Sequence, residues 1–185
     1  MTSFLTDAAV LIIQVAFGLY ILAVLLRFLF QLVRADFYNP ISQFLVALTN
    51  PLLKPLRRLI PGFYGMDLAS IVLLLILQFV ETYVIFWLTN FTPEISAVLI
   101  AAVIELVRLT INVYFFAVLL RVILSWVMPY GMHRNPAGDL LASLTEPLMR
   151  PARRLIPPVG GLDLSPIAVL VGLQLLQLAL AHLLR

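Results

Sequence analysis

The fold of this chain is decided by the stretch TNPLLKPLRRLIPGFYGMDL, residues Thr49–Leu68, because a close copy of it, TEPLMRPARRLIPPVGGLDL, recurs at Thr145–Leu164. Without a gap, half of the positions in Asn39–Gln78 are identical to those in Asn135–Gln174. Self-similarity at a fixed spacing is the signature of an internal duplication. The sequence therefore predicts a protein built from two copies of one unit.

The similarity extends upstream of this stretch. YILAVLLR at Tyr20–Arg27 matches YFFAVLLR at Tyr114–Arg121, so each unit consists of an apolar run, a basic segment and a second apolar run. We predict repeats at residues 1–90 and 95–185. Because each unit has an even number of spans, both units enter a membrane in the same sense, which predicts a parallel and not an inverted relation.

The composition is that of a membrane protein. Hydrophobic residues make up 63% of the chain, charged residues 11%, and the mean hydropathy is +1.08, whereas about a quarter of a soluble domain is charged. Four runs reach the roughly 20 residues that span a bilayer, at about 8–33, 68–90, 95–128 and 164–184. The sequence predicts an all-α membrane protein with four transmembrane helices, of which the third is one long, tilted helix.

The basic segments, residues 39–61 and 135–157, each predict a short amphipathic helix at the membrane interface. Asn-Pro supplies an N-cap and a first helical residue, a second cap–proline pair predicts a restart, and the next proline predicts a bend. The glycine permits a tight turn, and the aspartate caps the following span. The positions that shape the segments are Asn39, Pro40, Pro51, Pro55, Pro61, Gly65 and Asp67, and in the second copy Asn135, Pro136, Pro147, Pro151, Pro157, Gly161 and Asp163.

Helical spacing also predicts which side of the first segment is apolar. Its apolar face should hold Ile41, Phe44, Leu45 and Leu48, opposite Ser42, Gln43 and Thr49.

The basic side chains of the two segments have three interpretations. They bind anionic lipid headgroups or partner proteins, they only set the topology, or they fix the loop by pairing. In the third case, Asp67 and Asp163 would pair with Arg27 and Arg121 or with the Arg-Arg pairs. In all cases positive-inside logic predicts cytoplasmic loops and periplasmic termini. The candidate lipid- or partner-binding residues are Lys54, Arg57, Arg58, Arg150, Arg153 and Arg154.

Charged residues within the spans form a second candidate site. Glu81 and Glu105 should lie at similar depth, with Arg108 one turn from Glu105. Such groups usually face one another inside the protein. They therefore form either a proton or cation relay or a structural polar cluster. The structural cluster is favoured because these charged residues are not duplicated in the two repeats. The duplicated Gln78 and Gln174 predict symmetric hydrogen bonds between helices.

Other chemistry finds little support in the sequence. The chain has no cysteine and two histidines, which argues against thiolate, haem and histidine-metal sites, so we expect no cofactor. No catalytic constellation, phosphate loop or nucleic-acid motif is present. We expect the partners to be an anionic bilayer, other membrane proteins or further copies of the chain, and not nucleic acid.

The motif NPxxxxLxxLTxPLxxPxRRLIP, followed by GxDLxxI and a glutamine in the next span, resembles the YggT repeat, also called the YlmG family. The match covers both halves, as in the two-repeat bacterial members, and implies a multi-pass protein of the inner membrane. The family implies roles in osmotic or salt stress tolerance and in cell division or membrane organisation. Plastid relatives are associated with nucleoid distribution and haem attachment to a cytochrome. It implies no catalytic residues.

We therefore predict a non-enzymatic inner-membrane protein that assists membrane-protein assembly or membrane and cell-division organisation through its basic interfacial segments. The alternative is a small channel or transporter component in ion or osmotic homeostasis.

Overall fold

A computed structural model describes residues 4–62, 65–127, 135–156 and 163–183 of the chain, and every regular element within these ranges is an α-helix. Four of the helices are long and apolar enough to cross a membrane, namely α1, α3, α4 and α6. The predicted fold class is therefore confirmed. The helices are α1 (Phe4–Leu32), α2 (Pro40–Leu59), α3 (Leu68–Leu88), α4 (Ile95–Val127), α5 (Pro136–Leu155) and α6 (Ser165–Leu183).

The long third run is a single helix, as predicted. α4 contains 33 residues, and at about 1.5 Å per residue it is about 50 Å long. α3 ends in a turn in which Asn90 takes a positive φ of 54°, while the amide of Phe91 donates to the carbonyl of Phe86 at 3.0 Å. Asparagine tolerates this left-handed conformation, which commonly closes a helix.

The basic segments are longer helices than the sequence predicts. α2 and α5 each contain 20 residues and run through their internal prolines, so the predicted restarts at Asn50-Pro51 and Glu146-Pro147 are wrong. The predicted caps are correct. The side chain of Asn39 accepts from the amide of Ile41 at 3.0 Å, and Asn135 accepts from Ala137 at the same distance.

Contacts divide the chain into two compact units. One comprises Met1–Phe28 with Phe44–Val107, the other Leu29–Gln43 with Arg108–Arg185. The repeats at 1–90 and 95–185 are defined by sequence identity and not by contact, and their boundaries stay a prediction. Buried apolar side chains of the first unit include Ile21, Val24, Leu53, Ala69 and Val98, and those of the second include Val118, Leu140, Leu144 and Met149.

Candidate functional site

A buried arginine joins α1 to α2. Arg27 is only 7% exposed, and its Nη1 donates to Thr49 Oγ1 at 2.6 Å, to Asn50 Oδ1 at 3.1 Å and to the carbonyl of Val46 at 3.3 Å. A guanidinium removed from water is tolerated only where such acceptors replace its hydration. Arg27 therefore holds the C-terminal end of α1 against the turn of α2 that precedes Pro51.

The second copy repeats this arrangement between α4 and α5. Arg121 Nη1 donates to Thr145 Oγ1 at 2.7 Å and to the carbonyl of Ala142 at 3.4 Å, and its Nη2 donates to Glu146 Oε2 at 3.3 Å. The threonine hydroxyls also donate to backbone carbonyls one turn earlier, at 2.6 Å in both copies. Each threonine thus accepts from the arginine and donates to its own helix.

The network lies close to the first internal proline of each basic helix. A proline inside a helix removes one backbone donor and disturbs the preceding turn. In both copies the Arg–Thr network lies in the turn before the proline. The role of Thr49 and Thr145 was missed at the sequence level, although both precede the proline by two residues and each upstream span carries an arginine near its C-terminal end.

A second arginine in each copy pairs with the aspartate that precedes the next span. Arg57 Nε donates to Asp67 Oδ2 at 3.2 Å, and Arg153 Nε donates to Asp163 Oδ2 at 3.0 Å. Among the interpretations of the basic residues, the structure therefore supports pairing of the aspartates with the Arg-Arg pairs and not with Arg27 or Arg121. Each pair ties the end of the loop helix to the beginning of the following span.

The two aspartates differ in their capping role. Asp67 precedes α3, but its carboxylate makes no hydrogen bond to a helix amide, because Arg57 and the hydroxyl of Ser70 occupy it. The predicted carboxylate cap is therefore wrong at Asp67. Asp163 Oδ1 does accept from the amide of Ser165 at 3.0 Å, as predicted. Gly65 has a positive φ of 80°, in agreement with the predicted tight turn.

The ionised form of Asp67 is stabilised by its partners. Burial, at 6% exposure, is the largest influence and opposes ionisation, but hydrogen bonds from Arg57 and Ser70 and the charge of Arg57 outweigh it and lower the pKa of Asp67. The pKa of Asp163 is also lowered against the effect of burial, by Ser165 and Arg153. Asp163 is 40% exposed, so solvent screens its ion pair more strongly.

The lowered pKa of Asp67 predicts a stability that depends on pH. Because the folded pKa lies below the unfolded value of about 3.9, the stabilisation is fully present above that value and is lost as the pH falls through the folded pKa. Asp67→Asn should remove most of this acid sensitivity, and Asp163→Asn should change it less. Denaturant titrations in detergent from neutral pH to about pH 3 would measure it, and equal acid sensitivity of wild type and Asp67→Asn would contradict the assignment.

The remaining cations of the basic helices are exposed: Lys54, Arg58, Arg150 and Arg154. We call Lys54 and Arg58, which are four residues apart on α2, the cationic sector. Arg57 and Arg153 are also partly exposed, at 37% and 41%, and each is paired with its aspartate, so their predicted role in lipid or partner binding stays a prediction. In α5, Arg150 and Arg153 also lie 3.9 Å and 3.6 Å from the carboxylate of Glu146.

Large apolar side chains are exposed on α2 next to these cations. Leu45 is buried together with Ser42 and Thr49, so the predicted separation of an apolar face from a polar face is wrong, because the Arg27 network draws Thr49 inward. Phe44 is 64% exposed. The apolar sector of α2, as we define it, consists of Ile41, Phe44, Leu48 and Leu52, all of which are exposed.

The corresponding face of α5 is covered. Leu140 and Leu144, which align with Phe44 and Leu48, are only 3% and 1% exposed. The two copies therefore share their internal network but differ on the outside. Of the two basic helices, which are described over their full length, α2 is the one that carries an exposed apolar sector beside exposed cations.

The polar groups of the spans include two hydrogen-bonded pairs of side chains. Gln78 Nε2 donates to Glu81 Oε2 at 2.9 Å, and both side chains are buried; Glu105 is close enough to interact with Glu81 electrostatically. Gln174 is exposed, so the expectation of equivalent roles for Gln78 and Gln174 is not met. One turn later, Gln177 Nε2 donates to Asn112 Oδ1 at 2.6 Å, a contact that the sequence analysis missed.

Other predicted features concern metals and loop positions. Among the residues that the structure describes, no group of three or more His, Cys, Asp or Glu side chains could hold a metal ion. Pro157 and Gly161 lie outside the described residues. Glu105 and Arg108 lie on α4, the former partly buried and the latter exposed.

Comparison with known proteins identifies relatives over almost the whole chain. The sequence model of the CCB3/YggT family matches residues 6–88 and 100–184. The chain is 48% identical over 176 residues to an uncharacterized protein of Pseudomonas aeruginosa, covering 94% of this chain and 88% of that one. It is 38% identical over 167 residues to the uncharacterized protein YggT of Escherichia coli K12, with coverages of 90% and 86%. No solved structure matches the chain significantly.

Proposed function

Because the chain belongs to the CCB3/YggT family and has four helices apolar enough to cross a membrane, we propose that it organises the inner membrane of a bacterium without catalysing a reaction. In this proposal, α2 and α5 lie at the cytoplasmic surface and gather anionic lipid. The resulting local lipid environment assists the assembly or positioning of neighbouring membrane proteins.

The observation that carries the proposal is the outer surface of α2. Its apolar sector follows helical spacing and is exposed along one side of the helix, and the cationic sector is exposed beside it. A helix with this distribution buries its apolar side at the boundary between headgroups and acyl chains. Each basic residue near an anionic leaflet adds about 1 kcal/mol of attraction.

The internal network supports the same proposal. Arg27 holds the middle of α2 to α1, and Arg57 ties its end to Asp67. Both contacts are intramolecular, and they hold α2 at the ends of the spans α1 and α3. In this proposal, those ends lie at the depth of the lipid headgroups. The cations of the loops favour the cytoplasmic side by the positive-inside rule.

Lipid enrichment around the protein tests the proposal. In the Trp87→Phe background, Trp126 is the sole tryptophan, so energy transfer from Trp126 to pyrene-labelled lipid reports the lipid near the end of α4. We expect stronger transfer to pyrene-phosphatidylglycerol than to pyrene-phosphatidylcholine in proteoliposomes. Replacing Lys54, Arg58, Arg150 and Arg154 together by glutamine should remove that preference, since about 1 kcal/mol is lost per cation.

The matched control is Arg34→Gln, which removes an exposed cation located between α1 and α2. It should leave most of the preference intact. A wild-type protein without any preference, or a fourfold variant that keeps it, would contradict the proposal.

A second candidate function, ion transport in osmotic homeostasis, draws on Glu81. This carboxylate is buried within a span, accepts from Gln78 and interacts with Glu105, and buried charges in membrane helices often mark ion pathways. Ion flux in proteoliposomes that disappears in Glu81→Gln would favour transport over the leaflet-organising function.

A further inference from the structure

The two copies of the basic segment differ by one charge at the centre of their networks. In α5, Glu146 accepts from Arg121 Nη2 at 3.3 Å, and its carboxylate lies 3.6 Å from Arg153 Nη1 and 3.9 Å from Arg150 Nε. One internal anion thus serves three cations. Asp163 supplies a second carboxylate to Arg153.

The first copy keeps the cations and lacks this anion. Arg27, Lys54 and Arg57 align with Arg121, Arg150 and Arg153, but the residue that aligns with Glu146 is the neutral Asn50. Asn50 Oδ1 accepts from Arg27 Nη1 at 3.1 Å, so a neutral amide lies beside the buried guanidinium where the second copy has a carboxylate. The remaining carboxylate is Asp67, which is bound to Arg57 and Ser70.

This difference leaves an excess of positive charge in the first copy. Arg27 is almost fully buried; Arg57 is near enough to repel it electrostatically, and Asp67, which Arg57 also binds, is the carboxylate near enough to attract it. A neutral amide offers an arginine a weaker acceptor than a carboxylate, because charge-assisted hydrogen bonds are roughly twice as strong as neutral ones. An external anion at this position would supply the charge that Glu146 supplies in the second copy.

We propose that α2 binds a phosphate group beside Asn50, between Arg27, Lys54 and Arg57. The three cations attract the phosphate by their charge, with the exposed ammonium of Lys54 as the direct donor, while the amide of Asn50 can donate a further hydrogen bond. The phosphate comes either from a phospholipid headgroup or from a soluble ion. The lipid source rests on the proposed function, because that function places α2 at headgroup depth.

The two copies of the segment indicate the substitutions that test the site, because each copy shows the residue to introduce into the other. Asn50→Glu introduces the carboxylate of the second copy and should weaken binding of phosphatidylglycerol about tenfold or more, as measured by native mass spectrometry of the full chain in detergent. Glu146→Asn should instead create a second site, so that two phosphatidylglycerol molecules bind per chain. Inorganic phosphate is titrated as a separate arm, and its binding with the same dependence on Asn50→Glu would identify a soluble anion as the ligand.

Two further variants guard against loss of folding and separate this site from the proposed function. Asn50→Gln keeps a neutral amide and should retain binding, and Lys54→Gln alters only an exposed side chain and should weaken it. Unchanged binding of both probes in a folded Asn50→Glu protein, or no gain in Glu146→Asn, would overturn the site. The proposed function is judged separately, by the dependence of lipid enrichment on Arg58 and Arg154. If that dependence is found although the phosphate site is overturned, the leaflet-organising function stands.

Discussion

Thr49→Val is expected to lower the free energy of unfolding by about 1.5–3 kcal/mol, the usual contribution of a hydrogen bond to a charged group. The hydroxyl of Thr49 is fully buried and accepts from Arg27 Nη1 at 2.6 Å. Valine has nearly the same volume, so the loss would come from the guanidinium, which stays buried with fewer acceptors. Denaturant titration in mixed micelles would measure it.

Several controls make this result specific. Thr145→Val should act in the same direction but less strongly, because Arg121 is 13% exposed and can recover some hydration. Thr89→Val removes an exposed hydroxyl that bonds only to its own helix and should cost within about 0.5 kcal/mol.

A double-mutant cycle isolates the interaction itself. Arg27→Met removes the charge and keeps much of the apolar stem, so Thr49→Val should cost far less in the Arg27→Met background than in the wild type. Equal costs in the two backgrounds would show that the Arg27–Thr49 contact does not hold α1 to α2.

The second large effect concerns chemical access to α2 and α5. The natural chain contains no cysteine, so a single introduced cysteine reports its own position without interference. Lys54→Cys and Arg150→Cys replace exposed side chains, and both should react with a membrane-impermeant maleimide added to the cytoplasmic side. Thr92→Cys, which is exposed in the turn between α3 and α4, should react only from the opposite side.

A fourth position tests whether the apolar sector of α2 faces lipid while its cations face water. Leu48 is exposed in the protein and belongs to the apolar sector. Leu48→Cys should therefore be shielded from the water-soluble reagent in the membrane and become reactive after detergent solubilisation. This contrast with Lys54→Cys is expected because an interfacial helix immerses one side in acyl chains and presents the other to water.

The parts of the fold that could be predicted from sequence depend on local signals. Four apolar runs are long enough to span a membrane, and the structure places a helix on each. Asn39 and Asn135 were recognised as caps because asparagine before proline satisfies the first free amides of a helix through its own side chain. Such features involve neighbouring residues and need no knowledge of the tertiary structure.

The parts that could not be predicted depend on contacts between distant residues. The hydroxyl of Thr49 suggested an outward-facing position, but Arg27, 22 residues away, makes it part of the buried network. α2 also continues through Pro51, where the local signal indicated a restart. Leu144 is buried, whereas Leu48, which aligns with it, is exposed. Helical spacing could not predict this difference, because the two segments share the same apolar pattern.

Sidedness of the four single-cysteine variants in sealed inverted membrane vesicles and in spheroplasts tests the central claim most directly. The claim is that the duplicated basic helices lie at one membrane surface, on the cytoplasmic side. It predicts labelling of Lys54→Cys and Arg150→Cys in inverted vesicles only, and of Thr92→Cys in spheroplasts only. Labelling of positions 54 and 150 from opposite sides, or of both from the periplasm, would contradict it.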